Sequence, residues 1–202
     1  MKREVNFLER IWESMSHGEQ DAELRTDDAT EAEGKDGTSI RLRPYKRRDR
    51  RAVLGIAGRN FDGVSLDQNV ERRFGEVGES WRVHKKKAVD YDLRNNASHA
   101  FVAIVDGQIS GFICTRLHRD RSLGHITNLA VERELRSRGV GTALINKALD
   151  HFKREGLEFA RIETLKQNTK GRGLYPKLGF EKVGQQVFYF QKLGKKSVAS
   201  AE

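Results

Sequence analysis

The sequence predicts an α/β domain whose elements follow the order β-α-α-β-β-β-α-β-α-β. Three observations lead to this prediction. Short apolar runs of strand length alternate with longer stretches of helical periodicity. Asp106–Gly107 separates two alternating apolar runs, which is typical of a β-hairpin. The strand-like run at 124–131 leads through a glycine-containing loop into apolar positions at helical spacing over 142–152.

The elements can be placed in order along the chain. Apolar and basic residues alternate from Ser39, and Asp49 is the expected N-cap of the first helix in the domain. Gly156 is expected to end the helix that starts near Gly139. The predicted strands cover residues 39–44, 99–105, 109–117, 124–131, 159–165 and 180–191. The predicted helices cover 50–57, 79–94 and 139–155, with a short helical segment over 169–178.

Charge divides the chain into an acidic leader and a basic domain. Residues 1–38 carry five Lys or Arg against eleven Asp or Glu, a net charge of −6, so the rest of the +9 chain carries about +15. Apolar residues from Val5 to Met15 recur at helical spacing and predict a short amphipathic helix. The polar stretch 17–38 is expected to be a disordered linker, followed by one domain over 39–193 and a disordered tail over 194–202.

Composition excludes several classes of protein. The mean hydropathy of −0.70 and the lack of a long apolar run argue against a membrane span. The charged N-terminus has no apolar core of a signal peptide. Cys114 is the single cysteine, which rules out an internal disulfide framework and a cysteine-based zinc site. These observations favour a cytoplasmic, reducing environment.

The most informative motif is a basic loop that contains two glycines. Residues 136–141 read Arg-Ser-Arg-Gly-Val-Gly and stand between a predicted strand and a predicted helix. Such a loop can turn its backbone N–H groups toward a phosphate, and the helix dipole adds partial positive charge there. Ordinary turn chemistry is the alternative explanation, because neither dinucleotide fingerprint nor P-loop spacing is present.

A second motif follows the next predicted strand. Residues 168–180 read Asn-Thr-Lys-Gly-Arg-Gly-Leu-Tyr-Pro-Lys-Leu-Gly-Phe. Together with the first motif, which follows a Leu-Ala-Val strand, this stretch resembles the GNAT superfamily of acetyl-CoA-dependent N-acetyltransferases. The resemblance covers roughly residues 39–193. It implies a mixed central β-sheet with helices on both faces, and two strands that splay apart where acetyl-CoA binds.

The resemblance also implies which residues bind acetyl-CoA. The backbone of Leu129 and Val131 is expected to pair with the pantetheine amides, and residues 136–142, the glycine loop, to cradle the pyrophosphate. Lys170 and Arg172 are candidates for the ribose phosphate. No metal is implied. The complete set of expected cofactor-binding residues is Leu129, Ala130, Val131, Arg136, Ser137, Arg138, Gly139, Val140, Gly141, Thr142 and Asn168.

Three residues are candidates for the chemical step. The family's usual general acid, which protonates the departing sulfur, corresponds to Tyr175. A primary amine is mostly protonated at neutral pH and needs a base, for which His125 is the first candidate and Glu163 the second. Pro176 departs from the family pattern, because it disfavours α geometry at Tyr175 and predicts a kink or a new turn there.

The resemblance implies direct transfer of the acetyl group to a primary amine, of a small molecule or a protein, in a ternary complex. Acidic residues between 59 and 79, with the apolar stretch 183–189, are expected to line the acceptor groove, although a solvated loop explains the acids equally well. A non-catalytic CoA-binding regulatory module is the alternative. Nucleic-acid binding, suggested by a pI near 9.8, lacks a supporting motif.

Two further expectations concern partners and regulation. A homodimer is compatible with the sequence, although no residue pattern specifies an interface. The acidic leader is hypothesised to fold over the basic CoA site as a weak electrostatic competitor, so deleting residues 1–38 is expected to lower the apparent KM for acetyl-CoA.

Overall fold

A computed structural model describes residues 29–193. Its strands are β1 (Thr30–Glu33), β2 (Ser39–Pro44), β3 (Ala100–Val105), β4 (Gln108–His118), β5 (Leu123–Val131) and β6 (Phe159–Ile162). Its α-helices are α1 (Arg50–Asn60), α2 (Leu66–Phe74), α3 (Trp81–Asn95), α4 (Val140–Arg154) and α5 (Thr169–Leu174). The predicted amphipathic helix near the N-terminus and the tail 194–202 lie outside the described residues.

The strands form one mixed sheet in the order β1-β2-β3-β4-β5-β6. Neighbours from β1 to β5 are antiparallel, and β5 pairs with β6 in parallel. Asp106 and Gly107 have positive φ angles of 51° and 74°, so the predicted Asp-Gly hairpin joins β3 to β4. Gly156, with φ of 72°, follows the end of α4 as predicted.

Helices cover both faces of this sheet, as predicted for the fold class. On one face α4 packs against β2 to β5, and its Leu144 is fully buried beside Phe101 and Ile113. On the other face, α1 and α3 contribute Val53 and Trp81 to a second apolar cluster. Burial of each large apolar side chain contributes roughly 1.5–3 kcal/mol to the stability of this arrangement.

The last two strands separate part-way along their length. Their parallel pairing runs from Leu123 opposite Phe159 to Ile126 opposite Ile162 and ends there, whereas β5 continues to Val131. A register shift in the β4–β5 pairing lies at the same level, where Cys114 faces Asn128 and Thr115 faces Ile126. A β-bulge of this kind bends a strand locally. The predicted splaying of two strands is therefore present between β5 and β6.

Three segments differ from the sequence-based prediction, and the first is α2 (Leu66–Phe74), which was not predicted as a helix. Residues 30–33, expected to belong to a disordered linker, form β1 and pair with β2 from Thr30 opposite Leu42 to Glu33 opposite Ser39. An edge strand needs backbone hydrogen bonds but little apolar surface, so the polar composition of residues 30–33 did not indicate a strand. Conversely, residues 180–191 were predicted as a strand but have no regular structure, because no neighbouring strand pairs with them in this chain. The strand predicted over 159–165 also ends earlier, at Ile162.

Asp49 was predicted as a helix N-cap, and it does occupy the position before α1. Its carboxylate, however, makes no cap bond to that helix. It accepts hydrogen bonds from Arg43, with an Nη2–Oδ1 distance of 2.9 Å, and from the backbone N–H of Lys46 at 2.8 Å. The buried carboxylate therefore ties β2 to the turn that precedes α1.

Candidate active site

The glycine loop lies at the end of β5 and opens α4. Ser137 and Gly139 have positive φ angles of 67° and 100°, a conformation that glycine adopts without strain and that turns the chain sharply into the helix. Val140 is completely buried, so its side chain belongs to the core and only its backbone faces the loop. Among the described residues, none accepts a hydrogen bond of standard geometry from the amides of residues 137–142.

The turn between β1 and β2 packs directly against the glycine loop. The backbone N–H of Lys35 donates to the carbonyl of Arg138 at 3.0 Å, and Arg138 Nε lies 2.5 Å from Asp36 Oδ2. A Cβ atom on Gly34 would lie only 2.5 Å from the Arg138 carbonyl oxygen. Hydrogen bonds from Thr38 and Arg138 lower the pKa of Asp36 to about 2. Arg138 thus faces a carboxylate of the segment that precedes the predicted domain.

Arg136, the other loop arginine, is bound by protein groups. Its guanidinium donates to the carbonyl of Val131 at 3.2 Å and to Asn60 Oδ1 at 2.8 Å. Asn60 in turn donates to Glu132, which also pairs with Arg59 at 2.5 Å. This network joins the end of α1 to the loop after β5 and borders a polar cavity of about 420 Å³, lined by Arg59, Asn60, Asp62, Glu132, Arg133, Glu134 and Arg136.

Tyr175 stands where α5 passes into a 3-10 turn over Tyr175–Leu178. The change of helix type agrees with the new turn predicted from Pro176, although Tyr175 itself keeps α dihedrals, with φ of −59° and ψ of −43°. Its hydroxyl shares a hydrogen bond with the side chain of Thr164. Burial raises the pKa of Tyr175, against the opposing effect of that bond. The phenol therefore retains its proton at neutral pH.

Asn168 and Gly171 shape the space around the Tyr175 hydroxyl. Asn168 caps α5, because its Oδ1 accepts from the Gly171 backbone N–H at 3.0 Å, and its Nδ2 donates to Thr164 Oγ1 at 2.7 Å. A Cβ atom on Gly171 would lie 2.8 Å from the Tyr175 hydroxyl and 2.6 Å from Asn168 Nδ2. The absence of a side chain at Gly171 therefore makes room for both groups.

The two candidate bases, His125 and Glu163, form a single pair. His125 lies on β5 and Glu163 just after β6, and the His125 Nε2 to Glu163 Oε2 distance is 2.5 Å. Burial lowers the pKa of His125 below its ordinary value of 6.5, and Glu163 opposes that shift. Arg161 also contacts the same carboxylate at 2.6 Å. The imidazole is consequently neutral at pH 7 and can accept a proton.

A buried carboxylate behind the β5 bulge was not identified from the sequence. Asp92 on α3 is 2% exposed and accepts hydrogen bonds from Thr127 Oγ1 at 2.7 Å and Asn128 Nδ2 at 2.6 Å. Arg116 on β4 pairs with the same group. Lys85 Nζ reaches Asn128 Oδ1 at 2.5 Å, and burial lowers the pKa of this lysine. The network holds the bulged part of β5 against α3.

The acidic residues of the expected acceptor groove are mostly occupied by structural contacts. Glu71 accepts a hydrogen bond from the first backbone N–H of α3, on Trp81, at 2.6 Å, and Glu79 pairs with Lys87. Asp62 accepts from Gln68. Residues 183–189, expected to form the opposite side of the groove, are exposed and make no hydrogen bond with any described residue. The groove is therefore incomplete within residues 29–193.

The family assignment follows from comparison with known proteins. The model of the Acetyltransferase (GNAT) family matches residues 66–180, more than half of the 202-residue chain. The chain belongs to the GNAT family. Its matched region contains the separated strands, the glycine loop and the Tyr175 segment. In the described range, no group of three or more His, Cys, Asp or Glu residues could hold a metal ion, and no helix is long and apolar enough to cross a membrane.

Individual relatives agree with this family assignment. An uncharacterized N-acetyltransferase of Methanocaldococcus jannaschii is 32% identical over 94 residues, 44% of this chain and 42% of that protein. An N-alpha-acetyltransferase of Sulfurisphaera tokodaii is 33% identical over 109 residues, 48% of this chain and 65% of that protein. The GNAT chain thus spans less than two thirds of these relatives' own length.

Solved structures share the fold. The PaiA N-acetyltransferase from Thermoplasma acidophilum, whose structure is in complex with coenzyme A, superimposes with a TM-score of 0.57 and 20% sequence identity. The superposition covers 70% of this GNAT chain and 89% of that protein. At this identity the likeness concerns the arrangement of the sheet and helices.

Proposed function

We propose that this GNAT protein is an acetyl-CoA-dependent N-acetyltransferase that moves an acetyl group directly to a primary amine in a ternary complex. The observation that carries the proposal is the gap between β5 and β6, which lies between the glycine loop and the His125–Glu163 pair. A donor that enters this gap has a site for its phosphates at one end and a proton acceptor at the other.

The residues around the gap fit coenzyme A. Beyond Ile126, the edge of β5 that faces away from β4 has no described strand beside it, so the backbone of Leu129 and the N–H of Val131 are open to pantetheine amides, while the Val131 carbonyl accepts from Arg136. The amides of residues 137–142 are available to phosphate oxygens. We assign Ala130, Arg136, Arg138 and Asn168 supporting roles, because their present contacts shape β5, the loop and α5 rather than reach into the gap.

Acetyl-CoA supplies a thioester whose acetyl carbon bonds to the amine nitrogen while the carbon–sulfur bond breaks. His125 takes the proton that the amine loses, directly or through water, because its imidazole is neutral and half-buried, so that it remains within reach of an acceptor. Glu163 orients this imidazole and stabilises its protonated form across a 2.5 Å contact. The pair therefore works as one base, with His125 as the proton acceptor and Glu163 as the positioning residue.

Tyr175 is the proposed general acid. Its hydroxyl is protonated at neutral pH and is held by Thr164, which is itself fixed by Asn168. Donation of this proton to the departing sulfur converts a thiolate into a thiol and leaves a phenolate that water reprotonates. The hydrogen bond from Thr164 stabilises that phenolate and so lowers the pKa of Tyr175.

The acceptor is proposed to be a primary amine. The Sulfurisphaera tokodaii relative is named an N-alpha-acetyltransferase, which supports a protein N-terminus as one acceptor class. Arg161 lies near the base but is paired with Glu163, and Arg116 is paired with Asp92, so these arginines present no net positive charge to an acceptor.

The test measures release of free thiol from acetyl-CoA in the presence of an amine panel. The panel contains N-terminal peptides, single amino acids, polyamines and aminoglycosides. We expect thiol release with one class, near-complete loss in His125→Ala, and little change in His84→Ala, whose ring lies away from the base and has its Nε2 3.1 Å from the Val77 carbonyl oxygen. Binding of coenzyme A without turnover on any amine contradicts the transferase and supports a CoA-binding regulatory module.

A further inference from the structure

Lys85 on α3 presents a positive charge beside the bulge of β5. Its Nζ lies 2.5 Å from Asn128 Oδ1 and 4.0 Å from the centre of the Phe61 ring. Within residues 29–193 these are its hydrogen-bond and ring contacts, and neither partner carries a charge. Because an ammonium group has three N–H donors and Asn128 accepts one of them, Lys85 retains donors for a further acceptor.

The buried carboxylate of Asp92 does not form an ion pair with this ammonium group. Its Oδ1 accepts from Arg116, and its Oδ2 accepts from Thr127 Oγ1 at 2.7 Å and from Asn128 Nδ2 at 2.6 Å. A carboxylate has about four acceptor positions, and Arg116, which donates twice, fills those that remain. The Asn128 amide is thereby oriented with its N–H group toward Asp92 and its oxygen toward Lys85.

The charge on Lys85 is thus largely removed from water without a directly paired anion. Burial lowers the pKa of Lys85, whereas the more distant carboxylates of Asp67 and Asp92 raise it. Asp67 is exposed on α2, and its carboxylate accepts a long hydrogen bond from Ser65, at 3.4 Å. An anion that binds directly to Lys85 offsets the cost of burial and raises the pKa further.

The reactive end of the donor is expected at the level of this bulge. β5 and β6 separate after Ile126, and the backbone assigned to pantetheine begins at Leu129, so the thioester falls near Thr127 and Asn128. One face of β5 is closed there, because Ile126 lies in the apolar core beneath α4 and Leu129 packs against that core. The acceptor therefore approaches from the opposite face, which α3 covers.

The proposed base lies on that same face. His125 is directly opposite Arg116 in the β4–β5 pairing, and Arg116 pairs with Asp92 of α3. Opposite residues of an antiparallel pair project to one face of the sheet. His125 and Asn128 are three residues apart, which is at most about 10 Å along a strand. An amine that reaches the thioester between them therefore lies within a few ångströms of the Lys85 ammonium group.

We infer that Lys85 selects acceptors that carry a carboxylate close to the accepting amine, by pairing its ammonium group with that carboxylate. The α-carboxylate of an amino acid and an acidic side chain beside a protein N-terminus both supply this chemistry. The same positive charge repels the additional amines of a polyamine. The inference rests on the proposed acetyltransferase function and names the class of acceptor that this site takes.

Thiol release with two matched pairs of acceptors tests the selection. One pair is an amino acid and its amide. The other is two C-terminally amidated peptides that have either an aspartate or an asparagine at their second position, so the two pairs distinguish the two sources of carboxylate. We expect a higher kcat/KM for the carboxylate-bearing member of one pair. In Lys85→Met this ratio is expected to fall by about tenfold or more.

Two variants control for structural effects. Lys85→Arg keeps the charge and is expected to retain the preference. Lys153→Met removes a lysine that is 76% exposed on α4 and paired with Asp150, and it is expected to leave the ratio unchanged. Circular dichroism checks that each variant is folded. A general structural defect lowers both rates of a pair, whereas loss of Lys85 recognition changes their ratio.

The outcomes separate this inference from the proposed function. Thiol release that shows no preference for a carboxylate, or a preference that Lys85→Met leaves unchanged, overturns the role of Lys85 and leaves the acetyltransferase intact. The absence of thiol release with every acceptor contradicts the proposed function itself, and this inference with it.

Discussion

His125 on β5 and Glu163 after β6 meet beside the opening between these strands, with Nε2 and Oε2 2.5 Å apart. The parallel pairing of the two strands ends one residue later on β5, at Ile126. Burial of the imidazole, which lowers its pKa, outweighs the attraction of the nearby carboxylate. The histidine of the pair is therefore neutral at pH 7, which suits acceptance of a proton.

The pH dependence of turnover tests this pair. Because the pKa of His125 is lowered from 6.5, the base remains neutral at pH 6.5 and loses activity only at more acidic pH. His125→Ala is expected to reduce kcat/KM by about 10²–10⁴-fold. Glu163→Gln removes a charge that raises the pKa, so the acid limb of the kcat/KM profile moves to lower pH. An acid limb at or above pH 6.5 in the parent protein contradicts the assignment.

Tyr175→Phe tests the general acid. Loss of the hydroxyl is expected to lower kcat by about 10²-fold or more while the KM for acetyl-CoA changes little, since the ring still packs against Phe180 at a centroid distance of 6.2 Å. Steady-state kinetics with varied acetyl-CoA separate the two constants. Tyr91→Phe is the control, because Tyr91 is 55% exposed on α3. Equal kcat in the parent and Tyr175→Phe excludes the acid role.

Gly171 and Gly173 form a matched pair within α5. A Cβ at Gly171 meets the Tyr175 hydroxyl and Asn168, whereas none of the described atoms lies within 4 Å of a Cβ at Gly173. Gly173→Ala is therefore expected to raise the free energy of unfolding by up to about 1 kcal/mol and to leave kcat unchanged. Gly171→Ala is expected to lower kcat by displacing the phenol. Denaturant unfolding and kinetics on both variants check this, and equal kcat values refute it.

Asp36→Asn tests whether the β1–β2 turn limits access of acetyl-CoA to Arg138. The carboxylate lies 2.5 Å from Arg138 Nε, and its pKa near 2 keeps it charged at neutral pH. Removal of the charge frees Arg138 for phosphate, so the apparent KM for acetyl-CoA is expected to fall by about two- to fivefold at low salt and less at high salt. Asp120→Asn, which affects a pair with Arg121 outside the site, is the control.

Asp36→Asn is a sharper test than deletion of residues 1–38 of the hypothesis that the acidic leader competes with acetyl-CoA for the basic site. The deletion would also remove β1 and its pairing with β2, so a changed KM would not report on charge alone. An unchanged or raised KM in Asp36→Asn at low salt indicates instead that Asp36 positions the glycine loop without competing for the donor.

Asp92→Ala tests the network behind the β5 bulge. It leaves Thr127, Asn128 and Arg116 without their shared acceptor, and the expected loss in the free energy of unfolding is about 3 kcal/mol. Urea unfolding monitored by fluorescence measures this loss. Asp67→Ala is the control, since within residues 29–193 the side chain of Asp67 has a single hydrogen bond, from Ser65, which is long at 3.4 Å. A change below about 1 kcal/mol in Asp92→Ala contradicts the structural role.

The sequence alone determined the fold class, the boundaries of most elements and the position of the glycine loop. These features depend on local signals: apolar periodicity, the Asp106–Gly107 turn and the glycine that ends α4 at Gly156. It also named His125 and Glu163 as candidate bases, but as alternatives to each other. No spacing along one chain indicates that residues 38 positions apart share a hydrogen bond.

Only the tertiary structure decided which side chains meet. Asp36 and Arg138 are 102 residues apart, and Asp92 reaches Asn128 over 36 residues, so neither contact has a local sequence signal. The secondary structure predicted from composition was also wrong at both ends of the domain. The polar β1 forms because β2 offers it a pairing edge, whereas residues 180–191, which contain an apolar run over 187–190, are not paired with any described strand. A strand depends on its neighbour, and the neighbour is a property of the folded chain or of its assembly.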